Sequence, residues 1–586
     1  MQKSRSSLFQ GSRWLITWSL LCLSQESPNC RLTAEPPDLI LHHGKIVTVD
    51  AQFRIVQALA IREGKIIAVG SNDDVLTLQG TGTKLWDLQG KTVIPGLGDS
   101  HVHPTGAAVY EFDHPIPEFE TLADVLQYIA ARTRVVPEGE WIVLNQVFIT
   151  RLRDLRYPSR QELDQVAPRH PVMFRTGPDC ALNSLALQRS GIDRNFQIPA
   201  GENGLIERDE HGEPTGLLRN ATRFVKVQAT QKTPTFEEQR EQLRRLLADY
   251  NAVGLTAIAD RSAGPTALRL YQDLLARDEL TCRVFLSYGV NGQAPLEEGL
   301  RQIQTAADHP LHTYHPLLWL RGIKVFLDGG MLTGSAYMKE PWGISTIYGI
   351  RDPAYKGLLF IPEDKLEQLA RYALERELQF TAHAVGDGAV ETLAQVYARI
   401  HETRPLQAAR PCITHCNFLS PEALAFMSRV GIVADLQPAW LWLDGKTLLQ
   451  QFGNQRMRWF QPYRTMLDAG IVVGGGSDHM QKIGSLRSVN PYNPFLGMAI
   501  LMQRLPRQTT QTLYPEECLT SEQALRLYTI NNAYLMFEET RRGSLEVGKW
   551  ADFVVLQEDL LHLPPEEWPR VTVVATYLAG QPVYQR

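Results

Sequence analysis

Short apolar runs alternate with amphipathic stretches through the middle of the chain. Eight runs read as strands: Val93-Ile94 leading to His101, Leu255–Ala259, Arg283–Ser287, Gly322–Leu327, Phe380–His383, Pro411–His415, Ile432–Leu436 and Ile471–Gly474. Apolar residues three and four positions apart in Gln239–Tyr250, Pro362–Arg376 and Glu391–Ile400 predict helices between them. Strands buried on both faces read as continuous apolar runs, and their alternation with helices predicts parallel β/α units. Eight units predict an α/β fold, a (β/α)8 TIM-like barrel.

The ends of the chain have a different texture. Asp38–Asp50 and Ala58–Gly70 are rich in β-formers, with Glu63-Gly64 at a hairpin turn. Asp552-Phe-Val-Val-Leu and Val571–Gly580 return to the same style. This predicts a small β-sandwich domain built from both termini, over 36–92 and 540–586, with the barrel over 93–539. More than a hundred residues separate the first and second barrel strands, too many for a loop. Residues 105–235 are therefore expected to form an inserted subdomain at the barrel mouth.

The chain of 586 residues has a formal net charge of -5, so a basic surplus suited to nucleic acid is missing. Lys3, Arg5 and Arg13 precede the uncharged run Trp14–Leu23, which is short for a bilayer span. This predicts a signal peptide over 1–24 and a periplasmic or secreted protein without a stable membrane span. A start codon placed too early would instead leave a cytoplasmic protein. The seven cysteines show no C-x-x-C spacing, which predicts packed thiols in place of a disulfide framework.

Candidate chemistry gathers at the strand ends. His101 and His103 are two residues apart on an extended segment, so both imidazoles face the same way. Such a pair suits zinc or a similar divalent metal. Lys324, His383, His415 and Asp478 each lie at or just beyond an apolar strand, and parallel barrel strands all end on one rim. Lys324 stands inside Ile323-Lys-Val-Phe-Leu327, where an unpaired ammonium is costly. It is expected either to pair with Asp328 or Asp260, or to become a carbamate, an anionic oxygen ligand able to bridge two metals.

These residues sit in segments that resemble a known family. Pro95-Gly-Leu-Gly-Asp-Ser-His-Val-His-Pro104 resembles the first metal motif of the amidohydrolase superfamily. Gly212–Gly216, Ile323–Gly330, Ala382–Asp387, Gly476–Asp478, Leu519–Leu525 and Gly543–Asp552 are similar to its amidohydrolase-3 branch, which includes N-substituted formamide deformylase. The resemblance runs over roughly 38–584. It implies one or two divalent ions, zinc first. His101 and His103 would hold one, His383 and His415 the other, with N6-carboxylated Lys324 bridging. It also implies that Asp478 binds metal and shuttles the proton in hydrolysis of a non-peptide C–N bond.

The substrate regions depart from the branch. Pro178 stands where a histidine is usual, Trp440 where histidine is frequent, and His479 where a small residue is common; Trp141–Val147 lacks the expected Gly- and Trp-rich pattern. Trp440, Trp442, Asp444, Tyr337, Met331 and Asn183 are the candidate contacts for a small-molecule substrate. Hydrolysis of a lactone or carbamate, deamination of an aminated ring, or a retired binding protein on the same scaffold are the competing readings. A homodimer is allowed.

Overall fold

A computed structural model describes residues 35–200, 202–228 and 232–586. The expected signal peptide, with Cys22 and Cys30, lies outside the described residues. Among those described, no helix is long and apolar enough to cross a membrane.

Eight parallel strands make the central sheet: β1 (Leu97–Val102), β2 (Leu255–Ala263), β3 (Arg283–Gly289), β4 (Leu318–Phe326), β5 (Gln379–Ala384), β6 (Cys412–His415), β7 (Val433–Leu436) and β8 (Val473–Gly475). Each pairs with the next in chain order. The sheet closes just beyond β8, where Asp478 N donates to His101 O at 2.8 Å and His103 N to His479 O at 2.8 Å. Closure leaves no free edge, and the strands bury aliphatic side chains that pack against the outer helices.

The helices follow from local sequence. In Phe236–Ala252, Thr235 and Glu238 form a capping box, and Leu243, Leu246, Leu247 and Tyr250 make the buried stripe. Glu363–Glu375 and Asp387–Thr403 bury comparable stripes against the sheet.

Two further sheets sit at the chain ends. One has four strands and includes Leu39–His42 and Ala58–Arg62; the other has six and joins Lys45–Val47 and Thr92–Pro95 to Phe553–Leu556, Val573–Leu578 and Gln581–Gln585. Leu41, Ile61, Val93, Phe553 and Val555 pack between them. This corrects one expectation. Val93-Ile94 pairs with Phe553–Leu556 in the terminal sheet, and the first barrel strand begins at Leu97, past the break at Pro95-Gly96. A methyl group on Gly96 would lie 2.3 Å from Thr256 Oγ1, so the chain can pass between the sheets here only with glycine.

The segment between β1 and β2 carries a five-stranded sheet of its own: Ile142–Leu144, Val172–Thr176, Asp179–Leu182, Leu205–Arg208 and Pro214–Arg219. Phe174, Ile149 and Leu163 of this segment share one hydrophobic cluster with Met331, Trp342, Trp440 and Leu448, which follow barrel strands β4 and β7. The insertion is thus packed over the barrel mouth.

Candidate metal centre and catalytic cavity

The six expected ligands converge on one rim. His101 is the last residue but one of β1, and its Nε2 lies 3.2 Å from His103 Nε2. Asp478 Oδ1 lies 3.4 Å from His101 Nε2 and 3.2 Å from His103 Nε2. The ligand atoms of these three residues all fall within 4.8 Å of one another. The His415 ring is 4.8 Å from that of His101 and 4.5 Å from that of His383. Lys324, near the end of β4, lines the same cavity as His103, His383, His415 and Asp478, while His101 lies beneath them.

The backbone is strained where it delivers two of these groups. His415 has φ of 72° and Asp478 φ of 54°, left-handed values that are uncommon for residues with a Cβ. Glycines allow the close approach: a Cβ on Gly476 would stand 3.0 Å from His101 N and 2.8 Å from Ser100 Oγ.

A second layer of side chains fixes the imidazoles. Asp435 Oδ1 accepts from His101 Nδ1 at 3.0 Å. Gln437 Oε1 accepts from His415 Nδ1 at 2.7 Å, and Gln437 Nε2 donates to Asp435 Oδ1 at 3.1 Å. His101 and His415 are therefore tied through one relay at the end of β7. It turns the free Nε2 of each toward the centre, the arrangement usual behind metal-bound histidines. Sequence reasoning missed Asp435 and Gln437. The signal was there: a carboxylate inside the apolar run Ile432-Val-Ala-Asp-Leu436.

Charge and burial favour ligation. Burial, reinforced by the Lys324 charge, drives the His383 imidazole down to about 3 and holds His101 well below its ordinary value. Burial and the neighbouring His383 do the same to His415. All three are thus neutral, the state a metal ligand needs. Lys324 Nζ is buried with no hydrogen-bond partner, and burial pushes its pKa down to about 8. Pairing of Lys324 with Asp328 or Asp260 is not what the structure shows. Asp328 accepts from the backbone N–H groups of Tyr337, Val385 and Gly386, and Asp260 accepts from Tyr271 Oη.

The cavity above the cluster encloses about 520 Å³. Phe148, Phe326, Met331, Phe360, Trp440 and Met480 give it apolar lining, and Gln146, Arg175, Asn220 and Gln293 polar lining, of which Arg175 is exposed and Asn220 buried. Trp440 stacks on His415 with ring centroids 4.9 Å apart. Met331 also lines the wall; the other expected contacts do not. Asp444 is buried in a pair with Arg151 (3.0 Å) and accepts from Thr150 Oγ1 (2.8 Å). Asn183 caps the helix Ser184–Ser190 and bonds the backbone at Val172 and His170. Tyr337 packs against Gly386 and Gly388 beside the site. Trp442 lines a separate groove with Lys482 and Arg487. His479 faces away: its Nδ1 accepts from Tyr250 Oη at 2.7 Å and its Nε2 donates to Lys482 O at 2.8 Å. Cys412 and Cys416 are buried free thiols.

Comparison with known proteins shows the family and the fold. The chain is 27% identical to the putative amidohydrolase YtcJ of Bacillus subtilis over 93% of this chain and 99% of that protein. It is 28% identical to N-substituted formamide deformylase of Arthrobacter pascens, over 94% and 98%. A metal-dependent hydrolase from Pyrococcus furiosus shares the fold with a TM-score of 0.62 at 20% identity, covering 89% of this chain and 99% of that one. Atrazine chlorohydrolase TrzN from Arthrobacter aurescens, solved with zinc, shares it at 0.51 and 16%, covering 93% and 95%. The family model described as the amidohydrolase family matches residues 84–584, and the chain belongs to that family of hydrolases acting on carbon–nitrogen bonds.

Proposed function

We propose that the protein cleaves a non-peptide, amide-type C–N bond of a small molecule using a divalent metal, zinc first, held by His101, His103, Lys324, His383, His415 and Asp478. The observation that carries this is the convergence of six ligand-capable side chains from five strand ends, with the far nitrogens of His101 and His415 already committed to Asp435 and Gln437. The donor set of neutral imidazoles and a carboxylate suits a zinc-class ion. The orphaned Nζ of Lys324 fits a carbamate. Burial, which lowers its pKa to about 8, enlarges the neutral fraction of the amine, whose lone pair bonds carbon dioxide and which then loses a proton to leave an anion.

When bound, such an ion polarises a carbonyl and brings the pKa of a coordinated water to about 7. The chain's own residues do the rest. Asp478 stands at 3.2 Å from His103 Nε2, and its carboxylate takes the proton of the attacking water and returns it to the leaving nitrogen. Asn490 Nδ2 donates to Asp478 O at 2.7 Å and holds the segment in place. The apolar wall seats a ring or branched group and excludes water.

The test is reconstitution with zinc, then assay of N-substituted formamides and cyclic amides beside lactones, carbamates and aminated rings. Asp478→Asn should keep part of the metal and lose turnover by about 100- to 10,000-fold. Full activity in a metal-free preparation, or in Asp478→Asn, overturns the reading.

A further inference from the structure

We propose that the preferred substrate is an amide whose apolar body ends in a carboxylate, and that Arg175 receives that carboxylate at the cavity mouth. This rests on the C–N hydrolase reading and adds the other end of the substrate to it.

Four charged side chains line the cavity: Arg175, Lys324, Asp328 and Asp478. The last three sit at the metal end, where Asp328 is held by three backbone N–H groups. Arg175 alone of the four comes from the insertion. It comes from the strand Val172–Thr176 of the insertion and is exposed. Its bond is a long one, from Nε to Gly177 O at 3.4 Å.

Nearby arginines of the insertion are treated differently. Arg151 pairs with Asp444, Arg219 with Glu207 and Arg223 with Glu202. Around Arg175 the polar lining is neutral, and its amides are occupied with the protein. Gln146 Oε1 accepts from Gly177 N at 3.2 Å, and Asn220 Nδ2 donates to Gln293 Oε1 at 3.2 Å. Arg175 has no counter-charge among the described residues, and it lines both this cavity and a neighbouring pocket formed with Val143, Asn145 and Arg223, so its terminal nitrogens have donors to spare. A planar guanidinium with two free edges matches a carboxylate in a bidentate pair.

A second observation defines what lies between. Phe326 is 44% exposed although it sits on a barrel strand, and that exposed face looks into the cavity. It stands 5.3 Å, ring to ring, from His383. With Phe148, Phe360 and Trp440 it forms an aromatic passage from the metal ligands toward the mouth. A ligand with a ring in that passage would cover Phe326, place its C–N bond at the metal end and project its far substituent toward Arg175.

The test uses the zinc-loaded full chain with para-(formamidomethyl)benzoate and the matching neutral para-carboxamide. The acid should be favoured in kcat/KM by about 10- to 100-fold, chiefly through KM. Arg175→Gln should abolish that ratio, and Arg175→Lys should keep part of it. Calorimetry with para-toluate and para-toluamide gives the same comparison without turnover. An equal preference in Arg175→Gln would mean that the metal holds the anion, and equal affinities in the wild type would mean that nothing does; either result overturns the proposal. Absence of turnover on both formamides tells against formamide hydrolysis, while the calorimetric ratio still decides the role of Arg175.

Discussion

Replacing Asp435 by asparagine should weaken zinc binding by about 10- to 100-fold, equivalent to about 1.4–2.7 kcal/mol, without removing a ligand. The carboxylate is fully buried and surrounded by donors. Oδ1 faces His101 Nδ1 at 3.0 Å and Gln437 Nε2 at 3.1 Å; Oδ2 faces Thr414 Oγ1 at 3.0 Å and Arg261 Nε at 3.5 Å. An asparagine must turn its NH2 toward one of these pairs. Toward His101 it would force the imidazole out of the tautomer that presents Nε2 to the centre. Toward Thr414 it is tolerated, because a hydroxyl can rotate to accept. That second orientation keeps an oxygen on His101, but a neutral one, so the imidazole becomes a poorer donor to the metal. Arg261, buried on β2, also loses its counter-charge, and the fold should lose stability as well. The assay is competition for zinc with a chromophoric chelator, alongside a thermal melt to show that the variant is folded. A folded Asp435→Asn that binds zinc within twofold of wild type refutes the relay.

Lys324→Met should make the metal-free protein more stable at neutral pH and abolish high-affinity metal binding, because methionine fills the volume without an unpaired charge. The Lys324 pKa near 8 lies below that of the unfolded chain, so between pH 8 and about 10.4 the unfolded state holds more protons and stability rises with pH. The metal-free wild type should recover on the order of 3 kcal/mol across that window relative to Lys324→Met; parallel melting curves from pH 7 to pH 10 count against the buried free amine. Gly476→Ala should push His101 outward, since its Cβ would lie 3.0 Å from His101 N; a normal zinc affinity in that variant would show that the backbone contact does not set the ligand. Asp444→Ala leaves buried Arg151 unpaired and should cost about 3–5 kcal/mol of stability; a change confined to KM would restore Asp444 as a substrate contact.

What the sequence showed depended on where each residue's partners lie. Barrel strands buried on both faces read as apolar runs, and seven of the nominated runs overlap true barrel strands. The eighth failed because β1 reads Leu-Gly-Asp-Ser-His-Val: its inner face is given over to the site, so the visible apolar run beside it belongs to the terminal sheet. Lys324 was legible for the opposite reason, a single charge in an apolar strand. Asp435 carried the same mark and was passed over because nothing in the chain ties it to His101, 334 residues away. Asn183, Asp444 and Tyr337 show the converse error: polar or aromatic residues in regions that look variable need not reach the cavity, and two of them bond within the protein. The insertion supplies Gln146, Phe148, Arg175 and Asn220 to the cavity. On the proposed reading, the barrel strands would fix the bond-breaking end of the cavity, and the insertion, free to vary without disturbing them, would shape the end that chooses what is broken. Exchanging the surface of the insertion should therefore alter KM and substrate preference while zinc affinity stays constant, and a chimera that lost zinc with its preference would show the two ends to be one unit.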